Sequence, residues 1–394
     1  MEIVSPESVG VSSEQLHHID KKFQKYVDDG KTAGIVTLAA RHGKIFHHQA
    51  WGMQNLESNT PMALDSIFRI YSMTKPIVSV ALMQLFEQGM FHLNDPIAPL
   101  IAGFENIEVM NADGTTEPAE PISFWHVLTH TSGLSYGFKE DHPVEFLYRE
   151  VELIDRETTL EQMMAKIAKL PLRFQPGFDW NYSVSTDVVG YLVQALSDMP
   201  LGDYLHKHIL DPLGMEDTGY EIPADKLDRF TTLYGSVQPG DPYFKVFDEP
   251  ETSFHRPPVI NQRGGSGLVS TASDYVKFAQ MLANGGRYDG RRYLGRKPVE
   301  LMTMNHLPER MFPLAVSEPF PGYGFGLGFT QIIDIAQSGQ QASLGNHGWS
   351  GMADTNFWID PVEDMIGMSF MQYIPSHTIR VQEDFNNFLY QALL

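Results

Sequence analysis

The sequence predicts a mixed α/β chain of the α+β type. A central antiparallel sheet is built from both chain ends and flanked by helices, with a mainly helical domain inserted between them. Three observations carry this expectation. Strand-like apolar runs lie near the start and recur in the last third; the stretch between them is helical and broken by Pro and Gly; and an amphipathic helical pattern closes the chain. The expected division is a sheet domain from 1–95 and 230–394, with the helical domain at 96–229.

The elements follow in order. Residues 13–28 place Leu16, Ile19, Phe23 and Val27 at helical spacing. Residues 34–40 (Gly-Ile-Val-Thr-Leu-Ala-Ala) read as a strand, His42-Gly43-Lys44 as a hairpin turn, and 45–51 as the returning strand. From 74 to 88 the apolar positions Ile77, Val78, Val80, Ala81, Leu82, Leu85 and Phe86 cover nearly the whole circumference. This predicts a buried helix that ends at Gly89 and tolerates Pro76 in its first turn. Helices are expected at 123–130, 160–170, 184–196 and 201–209. Strands at 355–359 and 365–372 flank a turn at 360–364, and a helix over 378–393 ends the chain.

Composition narrows the function. The chain has 394 residues, 42% hydrophobic and 20% charged, an ordinary globular balance. The net charge of −21 repels phosphate backbones and anionic lipid, which argues against nucleic-acid or membrane-surface partners. There is no cysteine, so a disulfide framework and a thiol nucleophile are excluded. No secretory signal and no membrane-spanning apolar run are visible, and a cytoplasmic location is expected. Oligomeric state is left open.

The chemistry starts at Ser72-Met73-Thr74-Lys75. Ser and Lys three apart share a helix face. A serine at a helix start presents its Oγ beside backbone N–H groups that lack intrahelical partners, and a desolvated lysine one turn on can take its proton. Such a pair occurs by chance about once in a chain of this composition, so its surroundings matter more. Phe68-Arg69-Ile70-Tyr71-Ser72-Met73-Thr74-Lys75-Pro76 resembles the nucleophile segment of class C β-lactamases and the related family VIII carboxylesterases, within the penicillin-binding-protein-like superfamily. Further segments match in the same order. They are Leu128-Thr129-His130-Thr131-Ser132-Gly133-Leu134, Asn181-Tyr182-Ser183-Val184 after Pro176-Gly177, and Pro212-Leu213-Gly214-Met215. Gly265-Ser266-Gly267-Leu268, Tyr323-Gly324-Phe325-Gly326-Leu327-Gly328 and His347-Gly348-Trp349-Ser350-Gly351 follow.

The resemblance implies a class C β-lactamase-like fold, with Ser72 as the acylated nucleophile, Lys75 as its proton acceptor and Tyr182 as a proton relay. Lys75 and Tyr182 are treated as one coupled pair; an ammonium beside the phenol is expected to lower the phenol pKa. The chain departs from the pattern at the third motif. Where the lactamases and D,D-peptidases carry Lys-Thr-Gly or His-Thr-Gly, Trp349-Ser350-Gly351 aligns, like the Trp-x-Gly of the esterases; a rival register puts His347-Gly348-Trp349 there. The first is preferred because Gly351 allows close backbone approach. It implies an oxyanion hole from the amides of Ser72 and Met352, with Tyr136, Trp349, Ser350 and Gly351 lining the substrate site.

The missing cation disfavours a substrate carboxylate. The expected activity is therefore hydrolysis of small-molecule carboxylic esters with short acyl groups, without cofactor or metal. The runners-up are a β-lactamase or D-amino-acid peptidase and an acyltransferase; a binding protein on an inactive scaffold is disfavoured by the intact Ser-Lys-Tyr set. Arg263, Arg291 and Arg292 are candidates to restore the cation in space. His126 and His130 read as packed histidines rather than metal ligands; Asp187, five residues after Tyr182, is a candidate to orient the site, with helix-surface or capping polarity the preferred reading.

Overall fold

The computed structural model describes residues 1–236 and 244–394. Its centre is a nine-stranded sheet. We label the strands β1 (Glu2–Ile3), β2 (Gly34–Arg41), β3 (Lys44–Asn55), β4 (Thr60–Pro61), β5 (Tyr323–Phe325), β6 (Thr330–Ile332), β7 (His347–Ser350), β8 (Thr355–Asp360) and β9 (Met365–Phe370). They lie in the order β1-β3-β2-β9-β8-β7-β6-β5, and β4 pairs with β3. The two chain ends join where β2 pairs antiparallel with β9, Val36 opposite Phe370 and Arg41 opposite Met365. Every pairing is antiparallel except β1 on β3, which makes the sheet mixed rather than purely antiparallel. The two-residue β1 has too few side chains to announce itself by alternation.

Two helical layers cover the sheet. Helix α1 (Ser13–Asp28) starts at the N-cap Ser12, whose hydroxyl accepts from the Gln15 amide, and buries Leu16, Ile19, Phe23 and Tyr26. It packs on one face beside the closing helix α9 (Val381–Gln391), which begins three residues later than its sequence pattern suggests. Phe23 meets Trp51 edge-to-face at 5.3 Å, in a core with Phe385 and Leu389. The other face carries α8 (Ala272–Ala283), against β2, β8 and β9.

Helix α2 (Thr74–Glu87) is buried on every side from Thr74 to Leu85. It packs against α6 (Ser185–Ser197) and α7 (Leu201–Leu205) of the segment between the two halves of the sheet. That segment also contributes α3 (Phe124–Leu128), α4 (Pro143–Glu150) and α5 (Leu160–Ile167). Helix α3 is shorter than the expected 123–130, because the chain turns at His130 with φ +56°. No described helix is long and apolar enough to cross a membrane.

Leu82, fully buried at the centre of α2, tests this packing. Leu82→Ala is expected to lower unfolding free energy by about 2–5 kcal/mol, read as a lower urea midpoint at an unchanged denaturant slope.

Candidate active site

The head of α2 is built by a short strand and a strained turn. Phe68 and Arg69 pair with Ser270 and Val269, and Tyr71–Met73 then turns directly into α2. Tyr71 sits at φ +43°, a left-handed conformation that costs a non-glycine residue about 1–2 kcal/mol. The surroundings hold it there. Buried Arg69 donates to Asp248 Oδ2 at 2.7 Å and to the Thr231 carbonyl at 2.6 Å, and lies 3.8 Å from the Phe230 ring centroid. Gln372 brackets the same residue, accepting from the Arg69 amide and donating to its carbonyl, both at 3.1 Å.

This turn presents Ser72 to Lys75 and Tyr182. Lys75 Nζ lies 3.1 Å from Ser72 Oγ and 2.7 Å from the Gly265 carbonyl. The Tyr182 hydroxyl donates to Ser72 Oγ at 2.7 Å, and Lys75 Nζ stands 4.6 Å from the Tyr182 ring centroid. Lys75 is 1% exposed. Burial pushes its ammonium down to about 7, against the pull of Asp187 and with a push from Arg263. Tyr182 moves the other way: burial raises its phenol, outweighing the lowering by its hydrogen bond with Ser72. The expectation that a lysine neighbour lowers this phenol is corrected, because desolvation of the phenolate is the larger effect. The two groups are therefore driven apart, and Lys75 is the one that changes protonation near neutral pH.

His130 stands behind the tyrosine, its ring centroid 5.0 Å from that of Tyr182. Its Nδ1 accepts from the Ser183 amide at 3.2 Å, which leaves the proton on Nε2, 3.3 Å from Thr186 Oγ1. Burial, reinforced by the charge of Lys75, holds this imidazole well below the usual histidine range. His126 acts locally: its Nδ1 accepts from the Ser123 amide in the capping box of α3. Among the described residues no cluster of three or more His, Asp or Glu is placed to hold a metal.

Asp187 is corrected from a surface or capping residue to a fully buried one. Its Oδ1 lies 3.1 Å from Arg263 Nε and accepts from the Gly265 amide at 2.9 Å, and the Tyr136 hydroxyl donates to its Oδ2 at 3.4 Å. It faces inward because Arg263, 6% exposed at the side chain, needs a counter-charge. The pair also positions the Gly265 carbonyl that receives Lys75. Gly265 admits no side chain, since a Cβ there would lie 2.5 Å from the Tyr136 hydroxyl and 2.6 Å from Asp187 Oδ2.

The third motif lies on β7 and the turn after it. Trp349 lines the same cavity as Ser72, its ring 5.4 Å from Tyr182 and 5.5 Å from Phe325. Ser350 points to the opposite face of the strand and accepts from Asn356 Nδ2 at 3.0 Å. A Cβ on Gly351 would lie 2.5 Å from the Ile70 carbonyl, so only glycine lets this strand end approach the Ser72 turn. Met352 follows in a turn closed by Gly351 N–H to Thr355 and Asp354 N–H to Gly351.

Ser72, Tyr136, Tyr182, Trp349, Gly351 and Met352 line one cavity of about 1010 Å³, whose lining continues past β7 to Ser350 and Asn356 on the other face of the strand. Of the three arginines considered from sequence, only Arg263 lines it, and its charge is committed to Asp187. Arg292 instead pairs with Glu87, and Arg291 stacks on Tyr293. Arg156 and Phe254, which the sequence did not single out, also line the cavity.

A family model described as Beta-lactamase matches residues 19–389. Protein Rv1367c of Mycobacterium tuberculosis is 33% identical over 362 residues, covering 89% of this chain and 88% of that protein. Esterase EstB of Burkholderia gladioli is 28% identical over 369 residues, covering 87% and 86%. Among solved structures, EstCE1, described as a hydrolase with promiscuous acyltransferase activity, superposes with TM-score 0.82 at 24% identity, covering 96% and 99%.

With neutral Lys75 as the expected base, catalytic activity is expected to rise with pH and reach half its plateau near 7. The carboxylate of Asp187 favours the ammonium; Asp187→Asn therefore moves this acid limb to lower pH. The same change strands Arg263 and costs about 3–5 kcal/mol of stability. A kcat/KM profile and a denaturation curve on the same preparation read both effects.

Proposed function

This chain belongs to the beta-lactamase family and is a serine hydrolase of the β-lactamase fold; on that premise we propose that it is a carboxylesterase working through an acyl-enzyme on Ser72. The observation that carries this is the convergence of Lys75 and Tyr182 on one serine oxygen, at 3.1 and 2.7 Å.

Acylation begins with neutral Lys75 taking the Ser72 proton as Oγ attacks the ester carbonyl. The amides of Ser72 and Met352 receive the developing oxyanion. Collapse breaks the bond to the alcohol oxygen, and Tyr182 passes a proton to that oxygen, replenished from the Lys75 ammonium. Water then attacks the acyl-enzyme, giving up its proton along the same path, and the acid leaves with Ser72 reprotonated. The pushed-up phenol of Tyr182 suits proton donation, and the pushed-down Lys75 suits proton acceptance.

Ester specificity rests on Trp349. It brings an indole, not a cation, to the strand beside the nucleophile, and the buried cation next to the site is already neutralised by Asp187. A substrate carboxylate at that strand finds no fixed partner, and burying it unpaired costs several kcal/mol. EstB, named an esterase, supports this reading at the level of ester cleavage. Acyl transfer to an acceptor other than water is the second reading, favoured by the likeness to EstCE1, a hydrolase with promiscuous acyltransferase activity.

Phosphonate labelling is expected to add one adduct, on Ser72, and none to Ser72→Ala by intact mass. Lys75→Ala and Tyr182→Phe each lower kcat by about 10²–10⁴, with a double mutant far from multiplicative. For substrate class, kcat/KM on p-nitrophenyl butyrate is expected at least ~100-fold above nitrocefin, the effect of one unpaired charge of ~2.7 kcal/mol. Comparable rates would promote the lactamase reading.

A further inference from the structure

A cavity of about 1010 Å³ stands at the upper end of drug-sized ligand sites, roughly 300–1,000 Å³. A short acyl group and a small alcohol fill only part of it. The wall formed by Ile154, Arg156 and Phe254 belongs to the same cavity as Ser72, and no step of the proposed reaction uses it.

Arg156 differs from the other arginines that line this cavity. Arg69 is paired with Asp248, and Arg263 with Asp187. Arg156 has no carboxylate within ion-pair distance among the described residues, and its guanidinium lies 5.5 Å from the Phe254 ring centroid. Its neighbour Asp155 is the obvious partner, but that carboxylate is turned back on its own loop. Oδ1 accepts from the Glu157 amide at 3.2 Å, and Oδ2 from the Thr158 hydroxyl at 3.2 Å. The backbone beneath is tethered too, because buried Asn261 donates its Nδ2 to the Asp155 carbonyl. The loop thus holds a solvent-exposed guanidinium at the edge of the cavity, over an aromatic ring and without a carboxylate partner among the described residues, in a chain of net charge −21.

We propose that Arg156 forms an anion subsite for a carboxylate carried on the substrate at a distance from the scissile ester. The preferred substrates are then half-esters of dicarboxylic acids or other esters with a terminal carboxylate. This rests on the esterase reading and extends it. Near the nucleophile the site is aromatic and rejects charge, while further along the same cavity one guanidinium invites it. Guanidinium and carboxylate match as paired donors and acceptors, and the aromatic ring behind Arg156 restricts its rotamers.

The test uses two parallel series of p-nitrophenyl esters, one of linear neutral acids and one of linear diacids with the far carboxylate free, from six to twelve carbons. The expected result is a diacid chain length at which kcat/KM exceeds that of the neutral ester of equal length by about 5-fold, the size of one partly exposed charged contact. The advantage appears in KM, shrinks in 0.5 M NaCl, and disappears in Arg156→Gln while p-nitrophenyl butyrate turnover stays unchanged. Arg156→Lys keeps part of it. A diacid series no better than the neutral one at every length overturns the proposal, as does an advantage that survives Arg156→Gln. Failure of both series, with no phosphonate adduct on Ser72, defeats the esterase reading instead.

Discussion

A single amine held in an apolar environment sets the terms for the rest of this molecule. Lys75 sits in the first turn of a helix that is buried all round, so water does not solvate its charge. The structure answers with one carbonyl, that of Gly265, and with the carboxylate of Asp187 close by. Each answer brings its own requirement. The Gly265 carbonyl is placed by its own amide bonding to Asp187; Asp187 is balanced by Arg263; and Gly265 must lack a side chain to fit between Tyr136 and the carboxylate. The substitution of any one member propagates to the protonation state of the lysine. This is how a buried ion pair becomes part of the acid–base behaviour of the site.

The parts of this arrangement differ in how far they were readable beforehand. Ser72 and Lys75 are three residues apart on one helix, and Tyr182 lies in a short recognisable segment, so local sequence was enough to nominate them. Asp187 was named but ranked as surface or capping polarity, because its partner Arg263 is 76 residues away and an acidic residue in the first turn of a helix has an ordinary explanation in the helix dipole. Arg156 was invisible for a similar reason: its setting depends on Phe254 and Asn261, both from a distant loop. The sheet was legible where strands were long, as in β2 and β3. It was illegible at β1, whose two residues join by parallel pairing that no alternation signals. The direction of the Tyr182 shift was misjudged from sequence because charge proximity was visible in the motif and burial was not.

The polarity of the cavity changes along its length. Trp349, Tyr136 and Tyr182 line the cavity around Ser72 with aromatic faces, and His130 is kept neutral behind Tyr182. A second cation there would compete with protonation of Lys75, so the neutrality of the imidazole and the readiness of the amine are linked. The charged groups near the site are either paired, as Arg69 and Arg263 are, or stand off along the wall, as Arg156 does. A strongly acidic protein thus reserves its local fields for particular places in one cavity.

The union of β2 with β9 has a consequence for biosynthesis. Residues 34–41 emerge early from the ribosome and wait for residues 365–370 before their edge is satisfied. Ser72 likewise exists as a peptide long before β7 arrives to complete its surroundings. Contacts this distant in sequence slow folding and leave strand edges open meanwhile. The β2–β3 hairpin therefore keeps one edge open until residues 365–370 have been made, and the surroundings of Ser72 are complete only after β7 and β8 have joined that edge.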